Sequence, residues 1–263
     1  MPMNPRLLVP RATFDPDAAA YLRAVEAADG QVLETPVKRA VDDFFRGMKA
    51  DGTFGALKAA CLLCGARTLA GALVPLVGAA PSPNGFVSGD YSRANGLRDT
   101  GGTSYLLTGL GYNEVSANDE HLAVYLSVLP GDNENLIGGG TVSPASYSRI
   151  GYFTSVQRYD VQSGVIVSVA GAFSPGLVGV SRSSSTEFSR RQNNTTTISA
   201  SNSAATRSST SAQYGVFGAN YSDAPAAATT TAGMSFYSIG SAIDLALLDA
   251  RVTALVTAIG AAV

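Results

Sequence analysis

His121-Leu-Ala-Val-Tyr-Leu-Ser-Val128 places Leu122, Val124, Leu126 and Val128 at every second position, with His121, Ala123, Tyr125 and Ser127 between them. A period of two is the signature of a strand that buries one face. Working outward, Val165 to Val169, Leu177 to Val180, Thr195 to Ile198, Tyr214 to Phe217 and Met234 to Ile239 read as further strands. Hairpin punctuation separates the strands: Asn84-Gly85, Asn95-Gly96, Gly101-Gly102, Gly131-Asp132 and Gly138 to Gly140. No helical pattern lies between the strands, which argues against a parallel α/β sheet. Short strands at a spacing of roughly ten residues predict an antiparallel sandwich or barrel. From about Asn84 to Gly240 the chain reads as mainly β, an antiparallel jelly-roll sandwich of the concanavalin-like kind. Ser181 to Ser211 is rich in Ser and Thr, yet Phe188, Ile198 and the β-branched run Thr195-Thr196-Thr197 interrupt it. That pattern predicts solvent-facing strands and wide turns rather than a linker.

The composition changes near Pro81. Asp15-Pro16 and Thr35-Pro36 each combine a capping residue with Pro at the first helical position. Ala18, Tyr21, Leu22 and Val25 follow the first at helical spacing up to Gly30. Val37, Ala40, Val41, Phe44, Phe45 and Met48 follow the second, up to Asp51-Gly52. A third helix is predicted from Thr53, through Phe54, Leu57, Ala60, Cys61 and Cys64 to Gly65. Leu245, Leu248, Val252, Leu255, Val256 and Ile259 predict a closing helix capped near Ser241 or Asp244. Pro2, Pro5 and Pro10 keep the N-terminus extended, with Leu7, Leu8 and Val9 as an apolar plug between Arg6 and Arg11. The expected organisation is an extended arm (1–14), a helical docking segment (15–80), the jelly roll (81–240) and a C-terminal helix (241–263).

Of the 263 residues, 46% are hydrophobic and 14% charged, with a net charge of −2. A core can therefore be buried, but a basic footprint for nucleic acid is missing. The apolar run Ala59 to Ala80 is broken by Gly65, Arg67, Gly71 and Pro75, so no membrane insertion is expected. No signal peptide is evident, which predicts synthesis in a cytoplasm.

Residue types were tested for chemistry. His121, the one histidine, lies opposite the apolar face of its strand and reads as structural or surface. Cys61-Leu62-Leu63-Cys64 has redox spacing, but the thiols sit late in a helical stripe and read as buried. Carboxylates two apart on a strand, as a glycoside hydrolase needs, are missing, and Trp is absent. Asp132-Asn133-Glu134-Asn135 lacks the calcium-loop pattern and reads as a polar turn. These tests predict that the chain is no enzyme and binds no cofactor or metal.

Several segments resemble tailed-phage virion proteins that carry a laminin-G-like jelly roll. They are Tyr21-Leu-Arg-Ala-Val-Glu-Ala-Ala-Asp-Gly30, Cys61-Leu-Leu-Cys-Gly-Ala-Arg-Thr-Leu-Ala-Gly-Ala-Leu-Val-Pro-Leu-Val-Gly78, Gly96-Leu97, Gly102, Tyr105-Leu106, Gly179-Val-Ser-Arg-Ser-Ser-Ser185 and Phe236-Tyr-Ser-Ile-Gly-Ser-Ala-Ile-Asp-Leu-Ala-Leu-Leu-Asp249. The resemblance implies a structural protein on the virion surface, made in the host bacterial cytoplasm. A capsid cement or decoration protein would clamp the major capsid protein or tail proteins, with Arg6, Leu7, Leu8, Val9 and Arg11 as its subunit-binding arm. A homotrimer is expected by analogy with virion spikes. The alternative is an adhesin on a tail or head fibre that binds host glycan, for which Tyr147, Tyr152, Tyr159, Tyr214 and Tyr221 are candidate stacking residues.

Overall fold

The computed structural model describes residues 13–141, 147–163, 166–200, 212–221 and 224–263. Two helices, α1 (Pro16–Asp29) and α2 (Thr35–Ala50), come first. They are followed by β1 (Leu57–Leu62), the single turn α3 (Leu69–Ala72), β2 (Pro75–Val77) and β3 (Ser82–Asn84). Next are β4 (Tyr91–Ser92), β5 (Gly96–Leu97), β6 (Tyr105–Gly111), β7 (Glu120–Val128) and β8 (Glu134–Gly140). Then come β9 (Tyr147–Phe153), β10 (Val156–Val161), β11 (Val167–Ala170), β12 (Gly176–Arg182), β13 (Glu187–Gln192) and β14 (Thr195–Ala200). The chain ends with β15 (Gln213–Val216), β16 (Gly218–Tyr221), β17 (Ala224–Ala227), β18 (Gly233–Gly240) and α4 (Leu245–Gly260).

The strands form two sheets. The first runs β14-β13-β12-β7-β18-β1-β2, with β5 and β4 joined to β18; the second runs β11-β10-β9-β8-β15-β6-β3, with β16 and β17 attached. Among the described residues, all strand pairs are antiparallel except β8 with β16. The chain passes repeatedly from one sheet to the other, as a jelly-roll sandwich requires. The expected fold class is the observed one.

The helices form a third layer. Leu122, Val124 and Leu126 of β7 enter the core between the sheets, while Ala123 enters a second core beneath α1, α2 and α4. Phe44 of α2 meets Phe236 of β18 edge-on at 6.2 Å between ring centres. Each large side chain fully buried in this layer stabilises the fold by about 1.5–3 kcal/mol. Local chemistry sets the helix ends: Asp15 accepts hydrogen bonds from the Asp17 and Ala18 amides, and Gly30 closes α1 at φ 65°.

Ion pairs fasten helices to strands and to one another. Arg251 of α4 makes two bonds to the Asp51 carboxylate, at 2.7 and 2.9 Å. Gly47 lets it pass, because a Cβ there would lie 2.7 Å from the Arg251 Nε. Arg191 of β13 pairs with Asp249 of α4 at 2.6 Å, both almost fully buried. Losing one member of a pair like this costs about 3–5 kcal/mol, since the other charge stays buried.

The third helix expected from Thr53 is not present. Phe54–Ala56 forms a 3₁₀ turn and the chain continues as β1. Ala59, Cys61 and Leu63 point into the sandwich core, while Ala60, Leu62 and Cys64 point into the helical core. A strand buried on both faces is apolar at almost every position, so its sequence satisfies a helical period as readily as a strand period. The stretch expected as a helical docking segment therefore supplies β1 and β2 to a sheet, and the helices share a core with the sandwich.

His121 is fully buried at the end of β7. Its Nδ1 donates to the Ser241 carbonyl at 2.5 Å, which leaves Nε2 to accept from the Ser238 hydroxyl at 3.1 Å. Burial lowers its pKa to about 4, against an ordinary value of 6.5. The native state thus resists a proton that the unfolded chain takes up below pH 6.5, so stability falls as pH drops from 6.5 towards 4. Urea unfolding at pH 7.5 and 4.5 should show a loss from this residue of ~2–3 kcal/mol. The His121→Gln variant should lack that component, and an identical pH dependence in the two proteins would refute the assignment.

Candidate functional site

The structure disperses most of the candidates read from sequence. Arg6, Leu7, Leu8, Val9 and Arg11 lie outside the described residues. Cys61 and Cys64 are free and buried, and burial pushes the Cys64 thiol up to about 12 and the Cys61 thiol further. They belong to β1 and its end rather than to a helix, and they do not form the thiolate that redox chemistry uses. In the acidic turn, Glu134 accepts from the Gly131 amide, the Thr231 amide and the Thr230 and Thr231 hydroxyls, so its carboxylate organises the turn. Tyr159 and Tyr214 are fully buried in the sandwich core, and Tyr152 packs against it, so none of these three offers a ring face to a ligand.

Tyr147 and Tyr221 lie on the outer face of the second sheet, where a cluster forms around them. Along β9, Ser148, Ile150 and Tyr152 face inward, which turns Tyr147, Arg149, Gly151 and Phe153 outward. On β10 the same alternation turns Arg158 and Asp160 outward. Register pairs Arg149 with Asp160 and Gly151 with Arg158, and on the other side Arg149 with Gly138 and Gly151 with Asn135. The glycines make room: a Cβ on Gly138 would lie 2.7 Å from that of Arg149, and one on Gly151 2.6 Å from the Phe153 ring.

Arg149 lies over the rings of Tyr147 and Phe153 at 4.7 and 5.1 Å, and Arg158 over Phe153 at 5.2 Å. Such contacts hold each guanidinium plane in place. Tyr221 packs on Tyr147 at 5.5 Å, with its phenol beside Arg149. Arg149 Nε bonds Asp160 Oδ2 at 3.2 Å. Asp160 is fully buried. Burial raises its pKa to about 6 even though Arg149 opposes the shift. Four further atoms are enclosed here without a hydrogen-bond partner: Asp160 Oδ1, Asn135 Oδ1, Arg158 Nε and the Tyr221 hydroxyl.

Sequence reasoning named two of these tyrosines and missed the other members. The signal was present: Tyr147-x-Arg149-x-Gly151-x-Phe153 and Arg158-x-Asp160 share a strand period, but which face was outward could not be read from them.

Two other features were also missed. Between the sheets, the fully buried Glu120 accepts from the Tyr214 hydroxyl at 2.5 Å and from Ser148 at 2.8 Å. At the far end of the first sheet, β14 pairs with β13 on one side and, among the described residues, ends the sheet on the other. Its Thr195, Thr196, Thr197, Ile198, Ser199 and Ala200 carry no charge and are exposed or half-exposed, with Ile198 64% exposed.

No family model and no curated protein matches this chain. Among solved structures it is similar to a Trypanosoma rangeli sialidase in complex with 2,3-difluorosialic acid, with a TM-score of 0.48, 9% identity, and coverage of 84% of this chain and 39% of that one. It is also similar to the receptor-binding domain of botulinum neurotoxin mosaic serotype C/D, with a TM-score of 0.47, 10% identity, and coverage of 76% and 50%. A Streptococcus pneumoniae NanB sialidase matches at a TM-score of 0.35 and 13% identity, over 52% of this chain and 24% of that one. The chain thus spans half or less of each of these proteins.

The expectation that the chain is no enzyme is corrected here. The similar structures include sialidases, which are enzymes. The residue tests behind that expectation also relied on local spacing. The fold joins groups far apart in sequence, such as Glu120 with Tyr214, and no spacing rule detects such pairs.

The raised pKa of Asp160 has a defined consequence for stability. Its folded value lies above the unfolded one, so its contribution is fully present below about pH 4 and is lost as pH rises through 6. Asp160→Asn removes this titration. The stability of the variant relative to wild type should increase by ~2–3 kcal/mol between pH 4 and pH 8. A difference that stays flat across that range in chemical denaturation would show that Asp160 is not desolvated.

Proposed function

We propose that this chain is a bacteriophage virion surface protein of the cement or decoration type, holding neighbouring subunits of the particle together. The observation that carries the reading is the edge of β14, which has no further strand beside it among the described residues. Sheet edges are ordinarily protected with Lys, Pro, bulges or covering segments, because an unpaired strand recruits another. β14 has neither Lys nor Pro and presents a pleated, β-branched surface suited to adding a strand from a neighbour. The sequence segments that resemble tailed-phage virion proteins support the same reading. In this proposal the strand donor is the arm around Arg6, Leu7, Leu8, Val9 and Arg11 of an adjacent copy, and head-to-tail donation around three copies closes a homotrimer.

A second reading is favoured by the outer face of the second sheet. Half-exposed arginines held over aromatic rings, with the half-exposed Phe153 between them, suit an adhesin that binds host-surface glycan.

The two readings make different demands on β14. Replacing Thr197 and Ile198 with Lys adds charge at a half-exposed and an exposed position and should leave the fold intact. Sedimentation of the purified full chain should show an assembly for wild type and a monomer for the double variant, with the same loss on deletion of residues 1–12. An assembly of unchanged size in both variants would overturn the edge-pairing proposal.

A further inference from the structure

We infer that the outer side of α4 is a contact between two copies of this chain, their α4 helices paired antiparallel about a two-fold axis. The contact goes beyond the β14 edge and uses a different surface.

α4 is apolar on both sides. Leu245, Leu248, Val252, Leu255 and Ile259 fill the helical core. Leu247, Ala250, Ala254, Thr257 and Ala261 repeat the same three-and-four spacing on the other side, and all five are exposed. The two charges of the helix, Asp249 and Arg251, pair with Arg191 and Asp51. Its neighbour α2 carries Lys38, Arg39, Asp42, Asp43, Arg46 and Lys49, the composition of a helix with a solvated face. A helix that is apolar all round is ordinarily buried, and α4 has nothing over its outer side among the described residues.

The shape of the surface selects a second copy as its occupant. Leu247 is a knob, 38% exposed. Three turns later on the same side, Ala254 and Ala258 border a groove of about 230 Å³ between α4 and α2. A second copy brings an identical knob and groove, and two-fold symmetry fills both at once. Seating Leu247 of each copy at Ala258 of the other sets the axis midway, near Val252.

Charge agrees with this placement, which shape alone decided. α2 runs antiparallel to α4: Asp51 meets Arg251, while Ala40 and Asp43 border the groove beside Ala254 and Ala258. With the axis near Val252, Arg251 of the second copy lies over Ala254, beside Asp43. Asp244 of the second copy lies over Ala261, on the side of Arg39, which stands one turn from Asp43. Arg39, Asp43 and Asp244 are exposed and make no ion pair among the described residues. Arg251 uses two nitrogens on Asp51 and its side chain is 41% exposed, so a second carboxylate can reach it. Both contacts join opposite charges. A parallel pairing would set each residue against its own counterpart, like charge on like.

The test uses the full chain carrying Thr197→Lys and Ile198→Lys, so that β14 takes no part. One helix face makes a small interface, so this protein is expected to be monomeric at about 10 µM and to pair at about 0.5 mM in sedimentation equilibrium. Leu247→Glu removes the knob, and Glu suits the first turn of a helix, so the fold is kept while pairing weakens by about tenfold or more. Thermal unfolding checks the fold. Orientation is read by mild oxidation of added cysteines, since Cys61 and Cys64 are buried. A mixture of the Leu247→Cys and Ala258→Cys proteins should form a disulfide-linked dimer. Either protein alone should not, its two thiols being about 16 Å apart along the helix. The same linkage is expected when the cysteines are placed in the otherwise unaltered chain. No dimer at the higher concentration, undiminished pairing by Leu247→Glu, or self-linkage as ready as in the mixture would overturn the α4 contact. These outcomes leave the β14 proposal standing, because that edge is altered in every protein compared by sedimentation.

Discussion

The central strands of the first sheet are covered on both sides, and the rest of the architecture follows from that. β7, β18 and β1 pack against the second sheet through one face and against α1, α2 and α4 through the other. A sheet in that position has no wet face, so its strands are mostly apolar and most of their polar groups are paired. His121, Ser238 and the Ser241 carbonyl meet this demand at the strand end. The helices are anchored by charge as well as by burial, since Arg251 to Asp51 and Arg191 to Asp249 tie α4 to the end of α2 and to β13.

The second sheet is under a different constraint. Its inner face completes the sandwich core, while the outer face has no helical layer among the described residues. That freedom allows Arg149, Arg158 and Asp160 to stand beside aromatic rings on a scaffold of paired strands. A cluster built on a sheet is held more firmly than one built on loops, because each side chain inherits the register of its strand. The unpaired acceptors beside the arginines are enclosed, and leaving them unbonded costs the fold stability.

The edge of the first sheet and the outer face of the second lie on different parts of the molecule. The first is an uncharged strand edge, and the second a cluster of arginines and aromatic rings. Lysines on β14 would not alter the arginine cluster.

The sequence by itself determined the features whose signals are local. Alternation in His121 to Val128, the Asp15-Pro16 and Thr35-Pro36 helix starts and the stripe from Leu245 to Ile259 each arise within one element, and each element is where they predict it. Tertiary structure alone decided the fate of Thr53 to Cys64, whose apolar run suits a helix or a doubly buried strand until its neighbours are in place. It likewise decided which tyrosines face outward: Tyr147 and Tyr221 share a face with Arg149, whereas Tyr159 and Tyr214 fill the core. The candidate site was legible only as scattered tyrosines because its members lie on separate strands whose order is set by crossings between sheets. A period of two fixes which residues share a face, but only the packing of one sheet against another fixes which face meets water.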